Sequence, residues 1–213
     1  MTAVALISAK HAPGVTTATV AFALAAGDGA LAVEADVSGG DIAARARLTT
    51  EPGLVTMAAA SRHAGSRVKL QTQVLASGAE VVVAPTDPQQ SSTALAAIGD
   101  RLPDAVREHG GGFLDCGRWS PVTSIRSLLA GCDAIVVVTG PSVAGIEHVR
   151  CRTGALAELG PTLAVLLVGD RPYGPAEVEE ALALPVIGAL AVDHRGTLSI
   201  YGGPAPLARK STL

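Results

Sequence analysis

Ser8-Ala9-Lys10-His11-Ala12-Pro13-Gly14-Val15-Thr16-Thr17 is the stretch on which the reading of this chain turns. It follows an apolar, strand-like run from Ala3 to Ile7 and opens a helix-like run from Val15 to Ala26. A strand, a tight glycine-containing loop and a helix that begins with paired hydroxyls form the layout of a phosphate-binding loop. Backbone N–H groups at such a helix start point at an anion, and the helix dipole adds partial positive charge. Thr16 is placed to offer its hydroxyl to Mg²⁺, and Thr17 to touch a phosphate oxygen. The lysine expected just before the two threonines is absent, and Val15 stands in its place. The plainer alternative is that Thr16 and Thr17 only start a helix.

Outward from this loop, apolar runs alternate with helical patterns. Strands are expected near 3–8, 30–35, 79–84, 112–116, 133–139, 162–168 and 185–191, and helices near 15–26, 39–47, 53–63, 89–109, 121–131, 142–159, 175–183 and 195–201. The runs Val81-Val82-Val83 and Ile135-Val136-Val137-Val138 lack polar alternation, so both faces of the sheet should be covered. Repeated strand–helix units predict a mostly parallel sheet of about seven strands in a three-layer α/β/α domain spanning 1–213. Gly27-Asp28-Gly29 and Gly160-Pro161 read as helix ends, and Gly110-Gly111-Gly112 as a break before a strand. Asp87-Pro88 and Ser120-Pro121 read as helix starts with proline at the first position. Residues 65–78 are the least periodic and read as a mobile loop.

Ligands on such sheets bind beyond the carboxyl ends of the strands. Four strand ends carry polar residues: the Lys10–Thr17 loop, Glu34-Ala35-Asp36 with Ser38-Gly39-Gly40, Asp115-Cys116-Gly117, and Gly169-Asp170-Arg171 with Asp193. Asp36 is positioned to orient an attacking water, or with Ser38 to cap the helix near Asp41. Asp115, at the end of an apolar strand, matches the residue that holds Mg²⁺ indirectly in phosphate-loop enzymes. Asp170 is suited to accept from a nucleobase amine and Arg171 to stack on the base, with loop capping as the alternative.

Composition narrows the classes further. The chain has 213 residues and a net charge of −3, which argues against a generic nucleic-acid binder. Arg45, Arg47, Arg62, Arg67 and Lys69 crowd one region of sequence, and scattered solvated cations are the simpler account. Cys116, Cys132 and Cys151 are odd in number without a Cys-x-x-Cys, so neither a disulfide framework nor a zinc site is expected. They read as buried thiols of a cytoplasmic protein. No secretory leader or membrane-spanning run is read.

These residues resemble the ParA/MinD family of deviant P-loop ATPases, which position and segregate cellular cargo. The family loop reads K-G-G-x-G-K-[ST]-T. Lys10 matches its signature first lysine, Gly14 its last glycine, and Thr16 and Thr17 both hydroxyls. Glu34-Ala35-Asp36 resembles the family's D-x-D switch, Asp115 its Mg²⁺-linked aspartate, and Asp170-Arg171 its Asn-Arg pair against adenine. Leu184-Pro185-Val186-Ile187-Gly188-Ala189 is similar to its late strand, and Asp193 to its following aspartate. The resemblance implies ATP or ADP with Mg²⁺, held at Lys10, Gly14, Val15, Thr16, Thr17, Asp170, Arg171 and Asp193. It also implies a homodimer in which Lys10 reaches the partner's phosphates and Asp36 orients water.

The departures imply a weakened site. Val15 removes the lysine that contacts the β- and γ-phosphates, His11 and Ala12 replace glycines, and Pro13 has no N–H to donate. A hydrogen bond to a charged group contributes ~1.5–3 kcal/mol. Its loss weakens ATP binding about ten- to a hundredfold, and catalysis more.

Three functions follow as expectations. The first is a nucleotide-gated dimer with slow or absent hydrolysis that recruits a protein partner. The second is a pseudo-ATPase scaffold, a class in which CpaE/TadZ-like pilus-positioning proteins also have eroded loops. The third is a dinucleotide-dependent dehydrogenase, because Glu34 lies twenty residues after Gly14, near the spacing of a ribose-binding acid. The tail Pro206-Leu207-Ala208-Arg209-Lys210-Ser211-Thr212-Leu213 is too short to bury an apolar helical face, so no autonomous membrane binding is expected.

Overall fold

Among the described residues eight strands form one sheet, ordered across it as residues 73–74, 80–82, 31–34, 112–118, 3–8, 134–139, 162–168 and 186–190. In this computed structural model, residues 1–10, 13–27, 29–63, 68–122 and 124–202 are described. The strands are β1 (Ala3–Ser8), β2 (Leu31–Glu34), β3 (Gln73–Val74), β4 (Glu80–Val82), β5 (Gly112–Arg118), β6 (Ala134–Thr139), β7 (Thr162–Val168) and β8 (Val186–Leu190). All pairings are parallel except β3 with β4. The helices are α1 (Val15–Ala26), α2 (Ile42–Ala46), α3 (Leu54–His63), α4 (Pro88–Ile98), α5 (Leu102–His109), α6 (Arg126–Ala130), α7 (Val143–Ala157), α8 (Pro175–Leu182) and α9 (His194–Ile200).

The unbroken apolar strands put a side chain on each face in turn, and both faces are covered. Ala3, Ala5 and Ile7 of β1 pack with Leu54 and Met57 of α3, Leu95 and Ile98 of α4, Leu128 of α6 and Val149 of α7. On the opposite face Leu6, Val136, Val138 and Leu166 pack with Val15 and Ala18 of α1. Val81 and Val83 join Val20 of α1, Ile42 of α2 and Ile200 of α9 on that same face. Helices α1, α2 and α9 therefore form one outer layer and α3–α8 the other.

Several expectations are corrected. The sheet has an eighth strand, because residues 73–74 pair antiparallel with β4 inside the stretch read as a loop. The helix expected over 89–109 is two helices joined by a 3₁₀ turn at Gly99–Arg101, with Pro103 in the first turn of the second. Ser120-Pro121 does not start a helix, since α6 begins at Arg126. Asp87 does cap α4, its carboxylate accepting from the N–H groups of Gln89 and Gln90 with Pro88 at the first position. Cys116 and Cys132 are buried, but Cys151 is exposed on α7, its thiol donating to Glu147 at 3.3 Å.

The strand order also bears on the dehydrogenase alternative. A dinucleotide-binding fold places its first two strands side by side. Here β5 lies between β1 and β2.

Candidate functional site

The carboxyl end of β1 lies where the sheet order reverses, with β5 on one side and β6 on the other. This is the crevice in which open α/β sheets take ligands. Gly14 caps α1 with φ 96° and ψ 32°, a left-handed conformation that favours glycine, and the space where a Cβ would stand is open. The first intrahelical bond runs from the Ala18 N–H to the Gly14 carbonyl at 2.9 Å. The N–H groups of residues 15–17 therefore point off the helix start. Val15 is 6% exposed and packs into the apolar cluster with Leu6, Ala18, Val136, Val138 and Leu166. At the position of the missing lysine there is thus a core residue.

Thr16 and Asp115 are brought together, the threonine hydroxyl donating to the carboxylate. Asp115 ends the apolar part of β5, is 2% exposed, and also accepts the Gly117 N–H at 3.0 Å. Burial pushes its carboxyl up to about 6, against the pull of the Thr16 and Gly117 hydrogen bonds and with the charges of Asp36 and Asp41 adding to the rise. A hydroxyl beside a buried carboxylate at a helix start is a donor pair suited to Mg²⁺, which keeps most of its shell as water and phosphate oxygen. Among the described residues no group of three or more His, Cys, Asp or Glu forms a metal cage. The pair therefore fits a Mg²⁺ that arrives with phosphate ligands.

Asp36 lies over Gly117, where any Cβ would overlap its carboxylate. One carboxylate oxygen accepts from the Ser38 N–H at 2.7 Å. Asp36 and Asp115 thus face the same crevice from adjacent strands. Lys10 is exposed at the start of the loop. His11 and Ala12 fall outside the described residues.

Glu34 has a role that its spacing concealed. It is 1% exposed and accepts from the N–H groups of Asp41 at 2.6 Å, Ile42 at 2.8 Å and Ala84 at 2.9 Å. The carboxylate of β2 therefore caps α2 and ties it to the end of β4. Burial raises this carboxyl to about 7 although all three N–H groups oppose the rise. Neither Asp36 nor Ser38 caps α2, and Glu34 is turned into the protein, away from any ribose.

The late strand ends differ in kind. Asp170 and Arg171 are exposed after β7, and among the described residues neither side chain makes a hydrogen bond or ion pair. Asp193 accepts the Gly196 N–H at 2.9 Å and so caps α9. Thr17 lies against Tyr201, whose ring also carries the Arg45 guanidinium 5.5 Å from its centroid. No sequence signal marks Tyr201, because it reaches Thr17 only through the packing of α9 on α1.

Of the cations that crowd one region of sequence, the described ones fall at two places. Arg45 and Arg47 line a groove of about 630 Å³ with Thr197, Leu198 and Tyr201, whereas Lys69 lines another with Glu108 and His109. Arg67, the side chain of Arg62 and the tail from 203 onward lie outside the described residues. Among the described residues no helix is long and apolar enough to cross a membrane.

No protein-family model and no curated protein matches the sequence. Solved structures match over nearly its whole length. A ParA family ATPase from Chlorobium tepidum shares 20% identity with a TM-score of 0.72, covering 100% of this chain and 95% of its own. The cell division ATPase MinD from Pyrococcus furiosus shares 18% with a TM-score of 0.74, covering 96% and 89%. The septum site-determining protein MinD of Pyrococcus horikoshii, complexed with Mg-ADP, shares 16% with a TM-score of 0.65, covering 93% and 86%. The chain has the fold of the ParA/MinD ATPases.

Proposed function

We propose that this protein is a cytoplasmic, single-domain nucleotide-binding switch. It takes ATP or ADP with Mg²⁺ at reduced affinity, hydrolyses ATP slowly or not at all, and acts as an ATP-responsive homodimer that positions or partitions cellular cargo through a protein partner. One observation supports this most. Thr16, at the start of α1, is bonded to the buried Asp115, behind a left-handed Gly14 whose neighbourhood is open. A solved structure of similar fold is a complex with Mg-ADP.

In this account the N–H groups of Val15, Thr16 and Thr17 and the dipole of α1 hold the phosphates. Thr16 and Asp115 would hold Mg²⁺, which would supply charge neutralisation at the phosphates. Asp36 orients water if hydrolysis occurs. Asp170 and Arg171 border the base, and Lys10 reaches the second subunit. Asp193 stands near the base while its side chain caps α9. Nucleic acid is not a favoured partner, and no autonomous membrane binding is proposed.

A second reading, a scaffold that binds its partner without nucleotide, is favoured by the burial of Val15 in the apolar cluster. Light scattering with Mg-ATP, Mg-ADP or neither separates the two. A mass that doubles only with Mg-ATP supports the switch. A mass unaffected by nucleotide, together with no saturable nucleotide binding, supports the scaffold.

A further inference from the structure

In the account above Lys10 reaches the second subunit and Arg171 borders the base, which leaves the phosphates of the bound nucleotide without a cation of their own. Asp36 and Asp41 both act on Asp115 as like charges, Asp41 being paired with Arg45 at 2.9 Å, and Glu34 lies opposite Asp115 in register. Val15 supplies no cation and is committed to the core. A triphosphate approaching this rim needs a guanidinium or ammonium that is not already engaged.

Arg118 meets that need. It is the last residue of β5, three positions beyond Asp115, and its register partner across the sheet is Ser8, the last residue of β1. The next residue, Trp119, donates its N–H to the Ser8 carbonyl at 2.9 Å, which pins this stretch beside the point where the loop leaves β1. Gly117, just before it, has φ 60° and lies under the Asp36 carboxylate. Arg118 is exposed, and among the described residues no hydrogen bond or ion pair engages its side chain. By contrast, Arg45, Arg107 and Arg150 each pair with a carboxylate. A guanidinium forks onto two oxygens of one phosphate and stays charged at any working pH.

We propose that Arg118 is the phosphate-contacting cation of this site, standing in for the lysine that Val15 replaces. This rests on the nucleotide-binding account above and assigns the compensating charge to a strand end instead of the loop. It predicts that removing phosphates from the ligand weakens binding more in wild type than in Arg118→Gln.

The test is calorimetric titration of Mg-ATP and of adenosine into the full chain and into Arg118→Gln, Arg118→Lys and Lys10→Ala. Wild type should bind Mg-ATP. Arg118→Gln should weaken it about tenfold or more, leave adenosine unchanged and lower the salt dependence of ATP binding. Arg118→Lys should restore part of the loss, and the unfolding midpoint should not move because the side chain is exposed. Equal ATP affinity in wild type and Arg118→Gln overturns the assignment and leaves the nucleotide account standing. The absence of any ATP binding by wild type overturns both.

Discussion

Glu34 and Asp115 are opposite each other in register on β2 and β5, and both are buried. Burial favours their protonated forms, so the folded chain holds protons that the unfolded chain releases. The sign follows directly: stability is greatest below the unfolded values of 4.5 for Glu34 and 3.8 for Asp115. It is lost as pH rises through about 7 and about 6 respectively. Urea midpoints measured in chelator at pH 5.5 and 7.5 should fall by the equivalent of about 1–3 kcal/mol. Glu34→Gln should flatten most of that fall, and a variant with the full wild-type slope would contradict this role. Gly117 is a second sensitive point. Gly117→Ala places a methyl group in the Asp36 carboxylate and forces alanine to a positive φ. Denaturant unfolding should show a loss of about 1–3 kcal/mol. At this scale the strand ends point to Gly14, Thr16, Asp36 and Asp115, and the fold brings all four to one crevice. The capping role of Glu34 was not legible, because a carboxylate that caps a helix from a neighbouring strand leaves no local spacing. Arg118 passed unnoticed because its value depends on which strand lies beside β5.

Elements with strong local signals were read closely. Helix α1 begins and ends between two positive-φ glycines, Gly14 and Gly27, and its span matches the expected one. The seven long strands were visible as apolar runs because a doubly covered sheet needs no polar face. The misses have physical causes. Strand β3 has two residues and is made by pairing with β4, so it carries no pattern of its own. Trp119 and Ile125 are both buried in the core, and α6 begins only at Arg126. The cap on α4 is local and testable. Asp87→Ala removes an acceptor shared by two N–H groups and should cost about 1 kcal/mol. Asp87→Asn should recover most of it, both read from thermal or denaturant midpoints. A loss below a few tenths would mean that water satisfies those donors equally well.

Across the whole molecule, the sheet order puts β1 at the switch point and gathers the ends of β1, β2 and β5 into one crevice, while the ends of β7 and β8 stand to one side of it. The chain shares its fold with ParA and MinD structures at 20% identity or less. Val15, where the resemblance leads one to expect a lysine facing phosphate, is part of the core beneath α1. Val15→Lys should lower the stability of the nucleotide-free protein by about 1–3 kcal/mol, because an ammonium stem must leave the apolar cluster. It should also restore a phosphate contact. The measurement that bears most directly on the account is therefore calorimetric titration of Mg-ATP into wild type and Val15→Lys side by side. The account predicts wild-type binding in the micromolar to millimolar range, tightened about ten- to a hundredfold by the lysine. Absence of binding by both proteins would contradict it and leave a closed loop on a scaffold.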